Sequence, residues 1–110
     1  FFEFLKNKLG LKYLRNTNKL NKKISKVSVV VGSGSFAIKD SIESNVDAFI
    51  TSDFKYHNFF EADNKAILID IGHYESEKHI KLFIKEFLNK KLPNFTVLLS
   101  EQNINPVNYY

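Results

Sequence analysis

One histidine and one glutamate, His73 and Glu77, carry the clearest potential for metal chemistry in this sequence. They follow an apolar run, residues 66–71, that ends at Gly72 and predicts a buried strand. Side chains that come directly after such a strand converge on the crevice where α/β sheets build their sites. The two side chains are four positions apart, so they share one face of a helix and could bind one cation. Acidic residues in a first helical turn also complement the helix dipole, and this structural interpretation stays open.

A second pair of titratable side chains, Asp53 and His57, follows the preceding predicted strand. Because the carboxyl ends of parallel strands meet at one edge of a sheet, we expect both to line the same crevice as His73. There they could orient a substrate, support a metal ligand or transfer a proton near neutral pH, so we predict them as catalytic residues. The alternative is structural, with Asp53 capping a short helix and His57 half-buried.

A glycine-serine turn lies between the first β-branched strand and a helix, at Gly32, Ser33, Gly34 and Ser35. Backbone amides at such a turn can face a phosphate, so we predict these four residues as substrate-binding. With Asp53 further along the chain, the turn also fits a dinucleotide-binding pattern, although that pattern often occurs by chance. The structural alternative is a tight turn that needs small residues.

Four sequence motifs in a fixed order connect these residues. They are VVVGSGSF, DAFITSDFKYHNFFEA, LIDIGHYESE and LLSEQNINPVNYY. This order resembles the carboxy-terminal part of the GTP cyclohydrolase I type 2 homologue family, whose members are also described as Ngg-one-interacting-factor-like dinuclear-metal proteins. The resemblance implies an α/β fold with a two-metal site. It also implies a ring-like homo-oligomer, such as a hexamer, for the full-length form.

The resemblance also assigns roles to single residues. The family's G-H-Y-x-x-E motif places a conserved ligand pair on His73 and Glu77, and its T-G-D-x-x-x-H motif matches Asp53 and His57. The family's remaining ligands come from a paired histidine in an amino-terminal half, and the three histidines of this sequence contain no such pair. We therefore expect the chain to be the carboxy-terminal segment of a larger two-part fold that supplies only part of the site.

The function implied by the resemblance is that of a metal-dependent hydrolase. Its complete site would hold two divalent cations, and its substrate would be a nucleotide or another small phosphorylated molecule. The sequence has no cysteine, and histidine and carboxylate ligands without thiolates suit Zn, Mn, Fe or Co. The alternative is a non-enzymatic metal-dependent module that works in interaction or regulation through its oligomer surface.

Length and composition limit the classes of protein that remain. With 110 residues, of which 44% are hydrophobic, we expect a single globular domain over 1–110. The net charge of +4 comes from mostly dispersed lysines, so we expect no nucleic-acid partner. No apolar run approaches the roughly 20 residues of a membrane span, and no signal-peptide pattern opens the chain. We therefore predict a cytoplasmic protein with no membrane partner.

Alternating strand and helix patterns must position the candidate residues. Strands are predicted at residues 27–31, 48–51, 66–71 and 95–99, with a short edge strand at 11–15. The first of the four, a nearly continuous β-branched run, predicts a strand covered on both faces. A helix at 80–88 carries an apolar stripe that we expect to pack on the sheet. The fold class is therefore α/β, a three-layer sandwich around a mostly parallel sheet of about four strands.

Overall fold

The computed structural model describes residues 1–102 and 104–109, so Asn103 and Tyr110 of the last sequence motif lie outside the described residues. The chain divides into two compact units, Phe1–Glu77 and Lys78–Tyr110. Every strand of the described part belongs to the first unit, and the last helix belongs to the second. Among the helices of the described residues, none has the length and apolar character needed to cross a membrane.

Four strands form one mixed sheet in the first unit. They are β1 (Arg15–Asn16), β2 (Val27–Ser33), β3 (Ala48–Ser52) and β4 (Ile67–Asp70). Their order across the sheet is β1-β4-β3-β2, in which β2, β3 and β4 are parallel and β1 runs antiparallel to β4. The predicted α/β class with a mostly parallel sheet is confirmed.

Helices lie on both faces of this sheet. In the first unit these helices are α1 (Phe2–Leu9), α2 (Ile38–Glu43) and α3 (His73–Glu77), with 3₁₀ helices at Ser35–Ala37 and Tyr56–Ala62. The second unit contains α4 (Ile80–Lys91). Side chains alternate between the two faces along β3. Ile50 therefore joins an apolar cluster with Leu5 of α1, whereas Phe49 joins a cluster with Ile38 of α2. These two clusters separate the three layers.

Two strand predictions are wrong. Residues 95–99 form no strand in the part of the chain that the structure describes, and the fourth strand is β1, which occupies the outer edge of β4. The strand β2 is not covered on both faces, since Val27, Val29 and Val31, which share one face, are exposed. It also lies at the other edge of the sheet. An apolar run predicts a strand, but it does not specify the position of that strand in the sheet.

The apolar stripe of α4, a helix of the second unit, is exposed. Phe83 is 64% exposed, and Ile80 and Phe87 are each 51% exposed. Among the described residues, every buried apolar side chain belongs to the first unit. The second unit therefore has no buried core of its own for this stripe to join.

Candidate metal centre

The candidate metal centre is built at the carboxyl edge of the three parallel strands. Gly32 lies at the end of β2, Asp53 directly follows β3, and His73 begins α3 shortly after β4. The backbone passes through the left-handed region at all three strand ends, with φ values of 72° at Gly32, 61° at Asp53 and 86° at Gly72. Non-glycine residues seldom adopt this conformation, and where they do they cluster at functional sites.

His73 stands between two carboxylates. Its Nδ1 lies 2.5 Å from Oδ2 of Asp53, and its Nε2 lies 3.2 Å from Oε1 of Glu77. The hydrogen bond to Asp53 is the main cause that raises the pKa of His73 above its ordinary value of 6.5, and the negative charges of Asp53 and Glu77 add to it against the effect of desolvation. The three side chains are each about half exposed, so a ligand can reach them.

The spacing between His73 and Glu77 fits two ligands of one cation. Ligand atoms about 2.0 to 2.2 Å from a metal ion lie roughly 3 Å apart at ordinary coordination angles, and the observed separation of Nε2 and Oε1 is 3.2 Å. Asp53 on Nδ1 would fix the tautomer that leaves Nε2 free to coordinate. Within the described ranges, no group of three or more His, Cys, Asp or Glu side chains could hold a metal ion. The pair therefore fits part of a metal site.

The glycine-serine turn packs directly against this pair. A Cβ atom on Gly32 would lie 2.7 Å from Oε1 of Glu77 and 3.7 Å from Cε1 of His73. The amide of Gly32 donates a hydrogen bond of 2.9 Å to Oγ of Ser76, and its carbonyl oxygen accepts one of 2.9 Å from Oγ1 of Thr51. The missing side chain at Gly32 thus allows α3 to approach the end of β2.

The remaining predicted site residues surround this contact in different ways. Gly34 is buried, and a Cβ atom there would clash with the side chain of Thr51, so its small size serves packing. Ser33 is exposed, and Ser35 begins a 3₁₀ helix in a half-buried position. His57 is exposed on the 3₁₀ helix after β3, and in the described part of the chain no hydrogen bond or ion pair joins it to His73.

Two residues that sequence reasoning missed, Asp70 and Arg15, hold this edge of the sheet together. Asp70 is 4% exposed. Its carboxylate accepts hydrogen bonds from the backbone amides of Phe54 and Gly72, both at 3.0 Å, and from the guanidinium of Arg15. A signal was present, since an aspartate between two isoleucines of an apolar strand must find partners to be buried.

A cavity of about 570 Å³ lies beside β1 in the first unit, with Arg15, Asn16, Tyr56, Phe60 and Asn64 among its lining residues. Its volume is within the range of about 300 to 1,000 Å³ that is usual for small-molecule pockets. The rings of Tyr56 and Phe60 meet edge to face with centroids 5.4 Å apart. Aromatic walls with amide side chains between them are suited to a planar polar ring.

Comparisons with known proteins agree with this fold. A family model described as Duf34/NIF3 (NGG1p interacting factor 3) matches residues 1–106. A Campylobacter jejuni protein named GTP cyclohydrolase 1 type 2 homolog is 34% identical over 109 residues, covering 98% of this chain and 43% of that protein. A Staphylococcus epidermidis protein of the same name is 36% identical over 115 residues, covering 99% of this chain and 31% of that protein.

A solved structure extends the similarity to the backbone. The crystal structure of a Staphylococcus aureus protein superimposes with a TM-score of 0.77 at 28% identity, covering 96% of this chain and 36% of that one. The chain thus spans less than half the length of each of these three relatives.

Proposed function

Because the chain belongs to the Duf34/NIF3 family, we propose that it supplies part of the active site of a metal-dependent hydrolase. The observation that carries the proposal is the geometry of His73, whose Nε2 lies 3.2 Å from Oε1 of Glu77 while Asp53 occupies Nδ1. The resemblance of the G-H-Y-x-x-E motif supports the same ligand pair. We expect the other ligands to come from beyond the described residues, which hold no larger ligand group.

Two bound divalent cations would supply an activated water molecule and offset negative charge on a phosphoryl or ring substrate. The residues of this chain would hold and orient the groups around them. Asp53 would keep the proton on Nδ1 of His73, so that Nε2 stays directed towards Glu77. His57, exposed on the following 3₁₀ helix, is the residue we propose for proton transfer to or from the substrate.

A nucleotide or another phosphoester is the substrate class that we propose. The cavity beside β1 supports this class, because its aromatic side chains Tyr56 and Phe60 can stack on a planar ring. The exposed hydroxyl-bearing residue Ser33 and the partly exposed Ser35 at the end of β2 support a phosphate position in the turn that contacts Glu77.

The test is a comparison of metal content and activity in the full-length protein. The wild type, loaded with Mn²⁺ or Zn²⁺, is screened against nucleotides and phosphodiesters. His73→Ala and Glu77→Ala are each expected to lose bound metal and activity, whereas His79→Ala and Glu75→Ala serve as controls for removing a nearby histidine or glutamate. Unchanged metal content in both His73→Ala and Glu77→Ala overturns the proposal.

Calorimetry on the 110-residue chain alone tests whether it supplies only part of the site. Two side-chain ligands leave the other coordination positions to water, whereas catalytic sites commonly use three protein ligands. We therefore expect weak Zn²⁺ binding that a chelator reverses easily. Tight, stoichiometric binding by this chain would mean that Asp53 or His57 is also a direct ligand.

A second candidate function, that of a metal-dependent interaction module, is favoured by the exposed edge of the sheet. The strand β2 leaves one side unpaired, and Val29 on it is 61% exposed. An apolar edge of this kind is a template for pairing with another chain, here a second copy in a homo-oligomer. Two results together would favour the interaction function over the hydrolase. The full-length protein turns over no substrate, and Val29→Lys lowers the molecular mass of its oligomer as measured by light scattering.

A further inference from the structure

We infer that Asp70 is the positioning residue of the candidate metal centre and that it sets the placement of Asp53 against His73. This inference rests on the proposed metal-binding function, in which His73 and Glu77 are the ligands. The sequence motifs assign no role to Asp70, and in the described part of the chain no hydrogen bond or ion pair joins its side chain to His73 or Glu77. It would act through the backbone segments that carry them.

One oxygen of the Asp70 carboxylate fixes the segment of Asp53. Oδ2 accepts a hydrogen bond of 3.0 Å from the backbone amide of Phe54, the residue directly after Asp53. The same oxygen accepts from the guanidinium of Arg15, which also donates to the carbonyl oxygen of Phe54 at 2.9 Å. Phe54 is thereby held at both its amide and its carbonyl group.

The other oxygen fixes the segment of His73. Oδ1 of Asp70 accepts a hydrogen bond of 3.0 Å from the backbone amide of Gly72, the residue directly before His73. The two members of the Asp53–His73 hydrogen bond are therefore each one residue away from an amide held by the same carboxylate. The buried carboxylate binds one segment with each of its two oxygens. It therefore fixes the distance between the two segments.

Arg15 supplies the countercharge that faces Asp70 inside the sheet edge. A buried carboxylate without a cation is unfavourable, and a guanidinium is well suited to bind one. Arg15 stands opposite Asp70 in the register of β1 and β4. The short edge strand β1 thus delivers the countercharge, which gives it a role in the site as well as in the sheet.

The segments that Asp70 holds adopt backbone conformations that need external support. Asp53 has a φ of 61° and Gly72 a φ of 86°, and an aspartate in this region persists only when its surroundings fix it. Groups that orient metal ligands typically change metal affinity by about 10- to 100-fold when they are mutated. We expect a loss of that size when Asp70 can no longer bind both amides.

Asp47 provides a matched control at the opposite end of β3. It is also a buried carboxylate, and its Oδ2 binds the backbone amides of Ser25 and Lys26, both at 2.8 Å, while its Oδ1 lies 2.6 Å from Nζ of Lys22. Asp70→Asn and Asp47→Asn each replace one acceptor oxygen by an amide group of the same size. Only the first change affects the segments of the candidate metal centre.

The experiment measures both variants in two ways. In the metal-free chain, ¹H–¹⁵N spectra of the His73 imidazole should show the hydrogen-bonded Nδ1 proton in the wild type and Asp47→Asn, and its loss or a large shift in Asp70→Asn. In the full-length protein, Co²⁺ affinity should fall about 10- to 100-fold in Asp70→Asn and stay within about twofold in Asp47→Asn. Unchanged spectra and affinity in a folded Asp70→Asn overturn the inference.

Arg15→Lys keeps the inference testable if Asp70→Asn fails to fold. A lysine preserves the charge, but its side chain is one bond shorter than the path to Nη2, the single arginine nitrogen that donates to both Asp70 and Phe54. A smaller loss of Co²⁺ affinity is expected, and no loss at all contradicts the inference. If His73→Ala leaves Co²⁺ binding intact, the proposed function fails, whereas the spectra of the metal-free chain still decide whether Asp70 places Asp53 against His73.

Discussion

Gly32 and Glu77 meet closely, since a Cβ atom on Gly32 would lie 2.7 Å from Oε1 at the end of the Glu77 side chain. The contact joins the end of β2 to the last residue of α3. It places the carboxylate of Glu77 against a backbone that is itself in the left-handed region, with a φ of 72°. The backbone conformation therefore favours glycine at this position, and a side chain there would also displace the carboxylate of Glu77.

Gly32→Ala is expected to cost stability and to weaken metal binding. The left-handed conformation costs a residue with a Cβ atom about 1 to 2 kcal/mol, and the new methyl group must displace the carboxylate of Glu77. Gly10→Ala is the matched control, because Gly10 has a φ of 60° at the end of α1 and lies outside the candidate metal centre. Equal losses in chemical denaturation with unchanged metal affinity in both variants would show that the contact with Glu77 has no role in binding.

Asp53→Asn is expected to lower the pKa of His73 towards its ordinary value of 6.5, because the hydrogen bond to Asp53 is the main cause of the upward shift. A raised pKa in the folded state means that protonated His73 adds stability below the ordinary value, and that this stability is lost as the pH rises through the folded pKa. An NMR titration of the metal-free chain measures the pKa of His73 in the wild type and in Asp53→Asn. An identical pKa in wild type and Asp53→Asn would contradict this assignment.

The pair His73 and Glu77 shows what sequence spacing can predict. The i, i+4 relation places two side chains on one helical face regardless of the rest of the fold, and the structure brings Nε2 and Oε1 to 3.2 Å. The proximity of Asp53 followed from a topological rule, namely that parallel strands end at one edge. The first prediction depended on the local geometry of a helix, and the second depended on a general property of parallel sheets.

Asp70 and β2 show why other features could not be predicted. The partners of Asp70 include Arg15, which is far away in sequence and reaches it only because β1 pairs antiparallel with β4. The unpaired side of β2 follows from the strand order, which places β2 at an edge. Hydrophobic periodicity carries information on which residues form strands, but it carries none on which strands become neighbours.

Asp47 is expected to make the stability of the chain sensitive to acid. The ammonium group of Lys22, followed by the backbone amides of Ser25 and Lys26, holds the pKa of Asp47 well below its ordinary value of 3.8. A lowered pKa stabilises the folded state above the ordinary value, and that stability is lost as the pH falls from about 5 towards the folded pKa. Asp47→Asn should therefore be less stable than wild type at pH 7, and the difference should shrink in acid. Urea denaturation at several pH values measures the difference in stability between wild type and Asp47→Asn. A difference that stays constant with pH would contradict the prediction.

Phe49→Ala and Phe83→Ala are expected to separate the buried core from the exposed stripe. Phe49 is 0% exposed within β3, so removing its ring should cost about 3 to 5 kcal/mol. Phe83 on α4 is 64% exposed, and exposed substitutions of this kind usually change stability by no more than about 0.5 kcal/mol. Chemical denaturation measures the loss of stability of each variant relative to the wild type. A loss in Phe83→Ala as large as that in Phe49→Ala would show that α4 buries its apolar stripe in solution.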